Sequence, residues 1–167
     1  MKGCAYTVEI TGRADELGAE TFGCDIQGLT NEMSVTFESL VAAFLRPSID
    51  GSRALRRALA DFRRAILEPD DTPFHCYRAV EALSYYFSSE KSSAWDGLRQ
   101  ALNIDREWIK ANLQDPAGDI RHGRVVGVTG ETRLRTLNAA TLVTSRFAVL
   151  LLSGTQRLQL VDYPTIS

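Results

Sequence analysis

Polar and apolar residues alternate at the start of the chain, where Tyr6, Val8 and Ile10 are separated by Thr7, Glu9 and Thr11, and again at Phe22, Cys24 and Ile26. A period of two puts successive side chains on opposite faces of a strand, so strands are expected over 5–11 and 21–28, joined as an antiparallel hairpin. An isolated hairpin is marginal in water and needs cover. Residues 157–163, Arg-Leu-Gln-Leu-Val-Asp-Tyr, offer a third strand.

From about residue 36 the period lengthens to that of a helix. A short helix is expected over 36–46, with Leu40, Val41, Phe44 and Leu45 on one side and Pro47 and Gly51 closing it. Ser52 then caps a helix through Leu67, in which Leu55, Ala58, Leu59, Phe62 and Ile66 form an apolar arc opposite Arg53, Arg56, Arg57, Arg63 and Arg64. Thr72 as cap and Pro73 at the first helical position start a third helix over 73–88, burying Cys76, Val80, Leu83 and Phe87. Helices over 94–102 and 105–114 carry Trp95 and Trp108 as core anchors, the second capped by Asp105. Asp115-Pro116 and Gly118 are expected to break the chain, leaving Arg121 and His122 on a glycine-flanked turn. Thr129 to Thr132 launch a last helix that is apolar on all sides beyond Phe147, which places it at the centre of a bundle. The expected fold is mainly α: one domain, with a β-hairpin appendage over 1–35, a helical bundle over 36–152 and a tail over 153–167.

Composition narrows the function more than the fold. At 167 residues with 44% hydrophobic and 24% charged residues, the chain has material for one core. Glu9, Arg13, Asp15 and Glu16 come too early for a signal peptide, and no uninterrupted apolar run approaches the roughly 18 residues of a membrane span. A cytoplasmic protein without membrane contact is expected. Cys4, Cys24 and Cys76 are odd in number and widely spaced, which fits free thiols better than disulfides. Residues 1–45 hold two basic against seven acidic residues, a net −5 within an overall −2, so contact with nucleic acid must come from a local patch. With two histidines and no ligand spacing, no metal site is expected. The absence of a glycine-rich phosphate loop, nucleophile elbow or dinucleotide fingerprint leaves no cofactor to expect.

Two features carry candidate chemistry. The arginine face of the helix over 52–67 suits phosphate oxygens, because the guanidinium fork donates two hydrogen bonds at once. Arg121-His122, flanked by Gly118 and Gly123, joins a group that titrates near neutrality to a fixed cation, the minimum for metal-independent RNA cleavage.

The order of a helix reading Cys-Tyr-Arg-Ala-Val-Glu-Ala-Leu (76–83), a tryptophan-bearing helix pair, an Arg-His-Gly turn and a long closing helix resembles the HEPN-like helical domains over about residues 52–152. The resemblance implies a helical bundle, a tendency to form homodimers, and a role in prokaryotic defence, toxin–antitoxin or mobile-element systems. RNA-cleaving members carry an Arg, four to six intervening residues and then a His near the start of the last core helix. His122 matches that histidine, but Asp115, Pro116 and Ala117 stand where the arginine belongs, so the motif is degenerate. The expectation is therefore a non-catalytic HEPN-like protein that binds RNA or a protein complex, with Arg53, Arg56, Arg57, Arg63 and Arg64 as the binding residues. One alternative is a metal-independent endoribonuclease using His122 with Arg121 or Arg78. Another is a small phage-encoded inhibitor or adaptor that docks on a host complex through the arginine face.

Overall fold

The computed structural model describes the backbone of residues 12–15 and 18–21 and the chain from 49 to 167. The chain divides into two compact units, residues 1–32 and 33–167. In the first, β1 (Gly12–Asp15) pairs antiparallel with β2 (Gly18–Thr21), Arg13 opposite Glu20 and Ala14 opposite Ala19. The strand expected over 5–11, nearly all of the one over 21–28 and the helix over 36–46 lie outside the described residues. The paired segments are those the alternation pattern had left as the connection.

The second unit is mainly helical. Its described elements are α1 (Ile49–Leu67), a 3-10 turn (Pro69–Asp71), α2 (Thr72–Ser84), α3 (Lys91–Leu102), α4 (Arg106–Ile109), a π-turn (Lys110–Gln114), α5 (Asp115–Arg121) and α6 (Gly130–Ser153). The helix others gather around is α2, not α6: it meets α1 most extensively, then α6, α5 and α3. Cys76, Ala79, Val80 and Leu83 are fully buried along it, and the small residues let its neighbours approach closely. The last helix is long and apolar enough to cross a bilayer, but 67% of its most apolar window is buried inside the bundle. Its first turns are open to water, with Leu134 49% exposed.

Three local expectations need correction. Thr72 is not the cap of α2: Asp71 holds that position, and the buried Thr72 hydroxyl donates to the Ala65 carbonyl at 2.7 Å, tying α2 to α1. The loop Ser88–Ser93 is more than a polar connection, because Glu90 accepts from the Ser92 and Ser93 amides and starts α3 three residues early. Pro116 and Gly118 do not break the chain. The preceding π-turn, closed by the Asp115 amide on the Lys110 carbonyl, widens the backbone where a proline ring would otherwise strike the carbonyl four residues back. One helical path therefore runs from Arg106 to Arg121 and stops at Gly123, whose φ of +74° is a conformation glycine adopts without strain.

The tail does not form the strand expected over 157–163. It is strapped to the bundle by polar bonds instead. Arg146, buried on α6, donates to the carbonyls of Leu102 (2.8 Å), Asn103 (3.1 Å) and Pro164 (2.9 Å). Asn103, in the left-handed conformation at the end of α3, donates to the Leu158 and Tyr163 carbonyls and accepts from Arg157. A single parallel bridge, Ile104 to Ile166, completes the strap. No carboxylate faces Arg146 among the described residues, and burial lowers its pKa. The negative end of the α3 dipole and the unpaired terminal carbonyls take the counterion's place.

Arg146→Met should therefore lower stability by about 3 kcal/mol, because buried carbonyls lose their donor. Urea denaturation would measure the loss, and limited proteolysis should find new cleavage between residues 155 and 166. Gly118→Ala should raise stability by about 0.5–1 kcal/mol, since a Cβ there meets nothing within 4 Å and alanine favours the helix. Were Gly118 instead the turn residue read from the sequence, the same substitution would destabilise.

Candidate nucleic-acid interface

The arginine stripe of α1 is divided by what packs beside it. Arg53 and Arg57, one turn apart, join Arg78 of α2 around a groove of about 560 Å³ that Asp61, Tyr85 and Tyr86 also line. Arg56, Arg63 and Arg64 do not line it. The Arg56 Nε donates to the Ser52 carbonyl at 3.3 Å, and both Arg56 and Arg63 have further interactions. Of the five arginines expected as binding residues, Arg53 and Arg57 line the groove, and so does Arg78, which was expected only as a phosphate stabiliser.

Asp61 organises the groove. Its side chain is 3% exposed, and it faces Arg78 Nη2 at 3.3 Å through Oδ1 and Arg57 Nε at 3.5 Å through Oδ2. The Oδ2 contact lacks hydrogen-bond geometry, so that oxygen is held by charge alone. One carboxylate between two guanidinium groups leaves a positive surplus, and Arg53 adds a cation with no ion pair among the described residues. The other acid, Glu81, accepts from the Tyr77 hydroxyl at 3.1 Å and pairs with Lys91 at 3.1 Å. That bond to Glu81 raises the Lys91 pKa, while burial first and Glu81 second raise that of Tyr77. Tyr85 and Tyr86 keep 46% and 38% of their surface exposed; the Tyr86 ring packs edge-on against Phe87 and Phe147, which leaves Tyr85 as the ring open to a stacking partner.

Arg121 and His122 are placed elsewhere. Arg121 ends α5 with its guanidinium 4.3 Å from the centre of the Tyr77 ring, which stacks in turn on Trp95 at 5.6 Å. Arg78 follows Tyr77 on α2 and turns toward α1, so the two arginines meet α2 on different sides. His122 is exposed at the end of α5; its amide donates to the Asp119 carbonyl at 3.0 Å, and its imidazole has no partner among the described residues. The structure brings Arg53, Arg57 and Arg78 together.

The arginine pattern alone singles out neither Asp61 nor His75, which is 4% exposed with Nε2 3.0 Å from Glu68 Oε2. The signal for Asp61 was present, four residues after Arg57 and three before Arg64 on an arginine-rich face. Cys76 is a buried free thiol whose pKa burial pushes up to about 12; Cys4 and Cys24 lie outside the described residues.

These features define a helical bundle with a basic, aromatic-edged groove on one side. The chain belongs to the family described as "Domain of unknown function (DUF8168) C-terminal domain", which it matches over residues 42–152. No curated protein and no solved structure matches it.

The Glu90 cap gives a pH test of the helix beside Tyr77. Hydrogen bonds from Ser93, then Ser92, hold the Glu90 carboxyl down at about 2, below its ordinary 4.5. A depressed carboxyl stabilises the fold above its unfolded pKa, and that contribution disappears as pH falls through the folded value. Glu90→Gln should be less stable than wild type at pH 7. The difference should shrink between about pH 4.5 and 2, read from urea midpoints across that range.

Proposed function

We propose that the chain is a non-catalytic, HEPN-like binding module that takes single-stranded RNA in the groove between α1 and α2. The observation that carries this reading is the convergence of Arg53, Arg57 and Arg78 with Tyr85 and Tyr86 around one opening. Guanidinium groups contact phosphate oxygens while exposed rings stack on bases, the combination by which proteins hold single strands without reading sequence. The groove's volume lies in the range of sites that take small organic units, a nucleotide or two rather than a duplex. The degenerate motif, with Asp115, Pro116 and Ala117 where the resembled family carries its arginine, favours binding over cleavage. Prokaryotic defence and mobile-element biology, a cytoplasmic location and homodimer formation belong to the same proposal through the HEPN resemblance.

Fluorescence anisotropy with a labelled single-stranded RNA tests it. Arg53→Glu combined with Arg57→Glu should weaken binding at least about tenfold and flatten the salt dependence by about one unit of slope per lost phosphate contact. Tyr85→Ala should cost about 1–3 kcal/mol if a base stacks there. His122→Ala should bind as wild type does. Unchanged affinity in the arginine variant, or RNA cleavage that vanishes in His122→Ala, would overturn the reading.

A further inference from the structure

At the joint between α1 and α2, away from the arginine groove, the 3-10 turn folds Glu68 and Asp71 back beside His75 on the first turns of α2. One donor atom from each of the three lies within 4.8 Å of the other two. We infer that Glu68, Asp71 and His75 form a site for a first-row divalent transition-metal ion, zinc or manganese in class.

The geometry needs little adjustment. Ligands bonded to such an ion at about 2.0–2.2 Å stand roughly 3–3.5 Å apart, and His75 Nε2 already lies 3.0 Å from Glu68 Oε2. Asp71 is the ligand whose side chain must turn to close the remaining gap. It occupies the cap position of α2, yet its carboxylate makes no capping bond, although aspartate there ordinarily binds the helix amides. No lysine or arginine among the described residues forms an ion pair with Glu68, Asp70 or Asp71. Three carboxylates thus cluster at one bend with only a histidine for a partner.

His75 supplies the rigid part. Its ring is 95% buried by side chain and packs against Phe74 at 5.2 Å, so Nε2 is presented to the two surface carboxylates from a fixed wall. Its other nitrogen, Nδ1, is buried without a hydrogen-bond partner. In the neutral ring the proton sits on Nε2, toward Glu68. A metal that takes the Nε2 lone pair moves that proton to Nδ1, where no acceptor waits. Metal-bound histidines usually have that acceptor, and its absence costs about 10–100-fold, which sets the expected affinity on the order of micromolar. One imidazole with two carboxylates favours zinc, manganese or cobalt over magnesium or calcium.

Calorimetric titration of the full chain with zinc chloride is the test. One equivalent should bind, the melting temperature should rise with zinc, and magnesium at the same concentration should give no heat. Glu68→Gln and Asp71→Asn change solvent-reaching side chains and should fold normally; each should weaken zinc binding at least tenfold and abolish the thermal shift. His122→Ala should leave both unchanged. The inference fails if wild type takes up no zinc at 100 times the expected dissociation constant. It fails equally if the two carboxylate variants bind as wild type does, or if magnesium binds as well as zinc.

Discussion

Every residue of α2 is buried or half-buried, so its polar side chains are held largely by partners within the protein, the buried Nδ1 of His75 excepted. Thr72 donates to the Ala65 carbonyl and accepts from Arg133 Nε at 3.2 Å; His75 meets Glu68, Tyr77 meets Glu81, Arg78 meets Asp61, and Ser84 returns to the Glu81 carbonyl. A buried polar group left without a partner costs about 1–3 kcal/mol, against a total stability of about 5–15 kcal/mol for a domain. A one-residue slip of α1 against α2 would break the Thr72, His75 and Arg78 contacts together. These bonds therefore set the register that the apolar contacts of Ala79, Val80 and Leu83 leave loose, and both candidate sites are by-products of that register.

The sequence made the helices legible wherever the apolar period was regular. The helix expected to start at a Ser52 cap is found from Ile49 to Leu67, with Ser52 inside it, and the last helix, expected to start within Thr129 to Thr132, runs from Gly130 to Ser153. What it hid was local compensation. Pro116 breaks an ordinary α-helix, and only the π-turn before it lets the helix continue, a feature no propensity encodes. The apolar arc of α1 was also drawn too far round: Ala65 and Asp61 are buried where Ile66 is 46% exposed, because α2 covers the side that carries the small residue and the carboxylate. Asp61 looks like any surface acid until Arg78, seventeen residues on, is seen to share it. The joint of Glu68, Asp71 and His75 was invisible for a similar reason, since it depends on a 3-10 turn that reverses the chain.

The C-terminal strap shows how a buried charge is accommodated without a counterion. Two of the three carbonyls that Arg146 binds belong to the end of α3, inside the residues that match the family, and the third belongs to Pro164 beyond them. The guanidinium is therefore anchored chiefly by the α3 terminus, whose partial negative charge persists whatever the tail does. The tail adds the last hydrogen bond and removes water from the other two.

The same logic of shared charge explains why the arginine groove suits binding. Burying Asp61 alone would be prohibitive, and two guanidinium groups offset the cost without fully using either. Arg78, with its side chain 25% exposed, is held in place, whereas Arg57, at 62%, keeps most of its contact with water. Arg53 is exposed and has no ion pair among the described residues. The cations thus run from fixed to free along one wall. In the proposed binding mode the fixed cation would define where a phosphate rests, and the freer ones would draw it in.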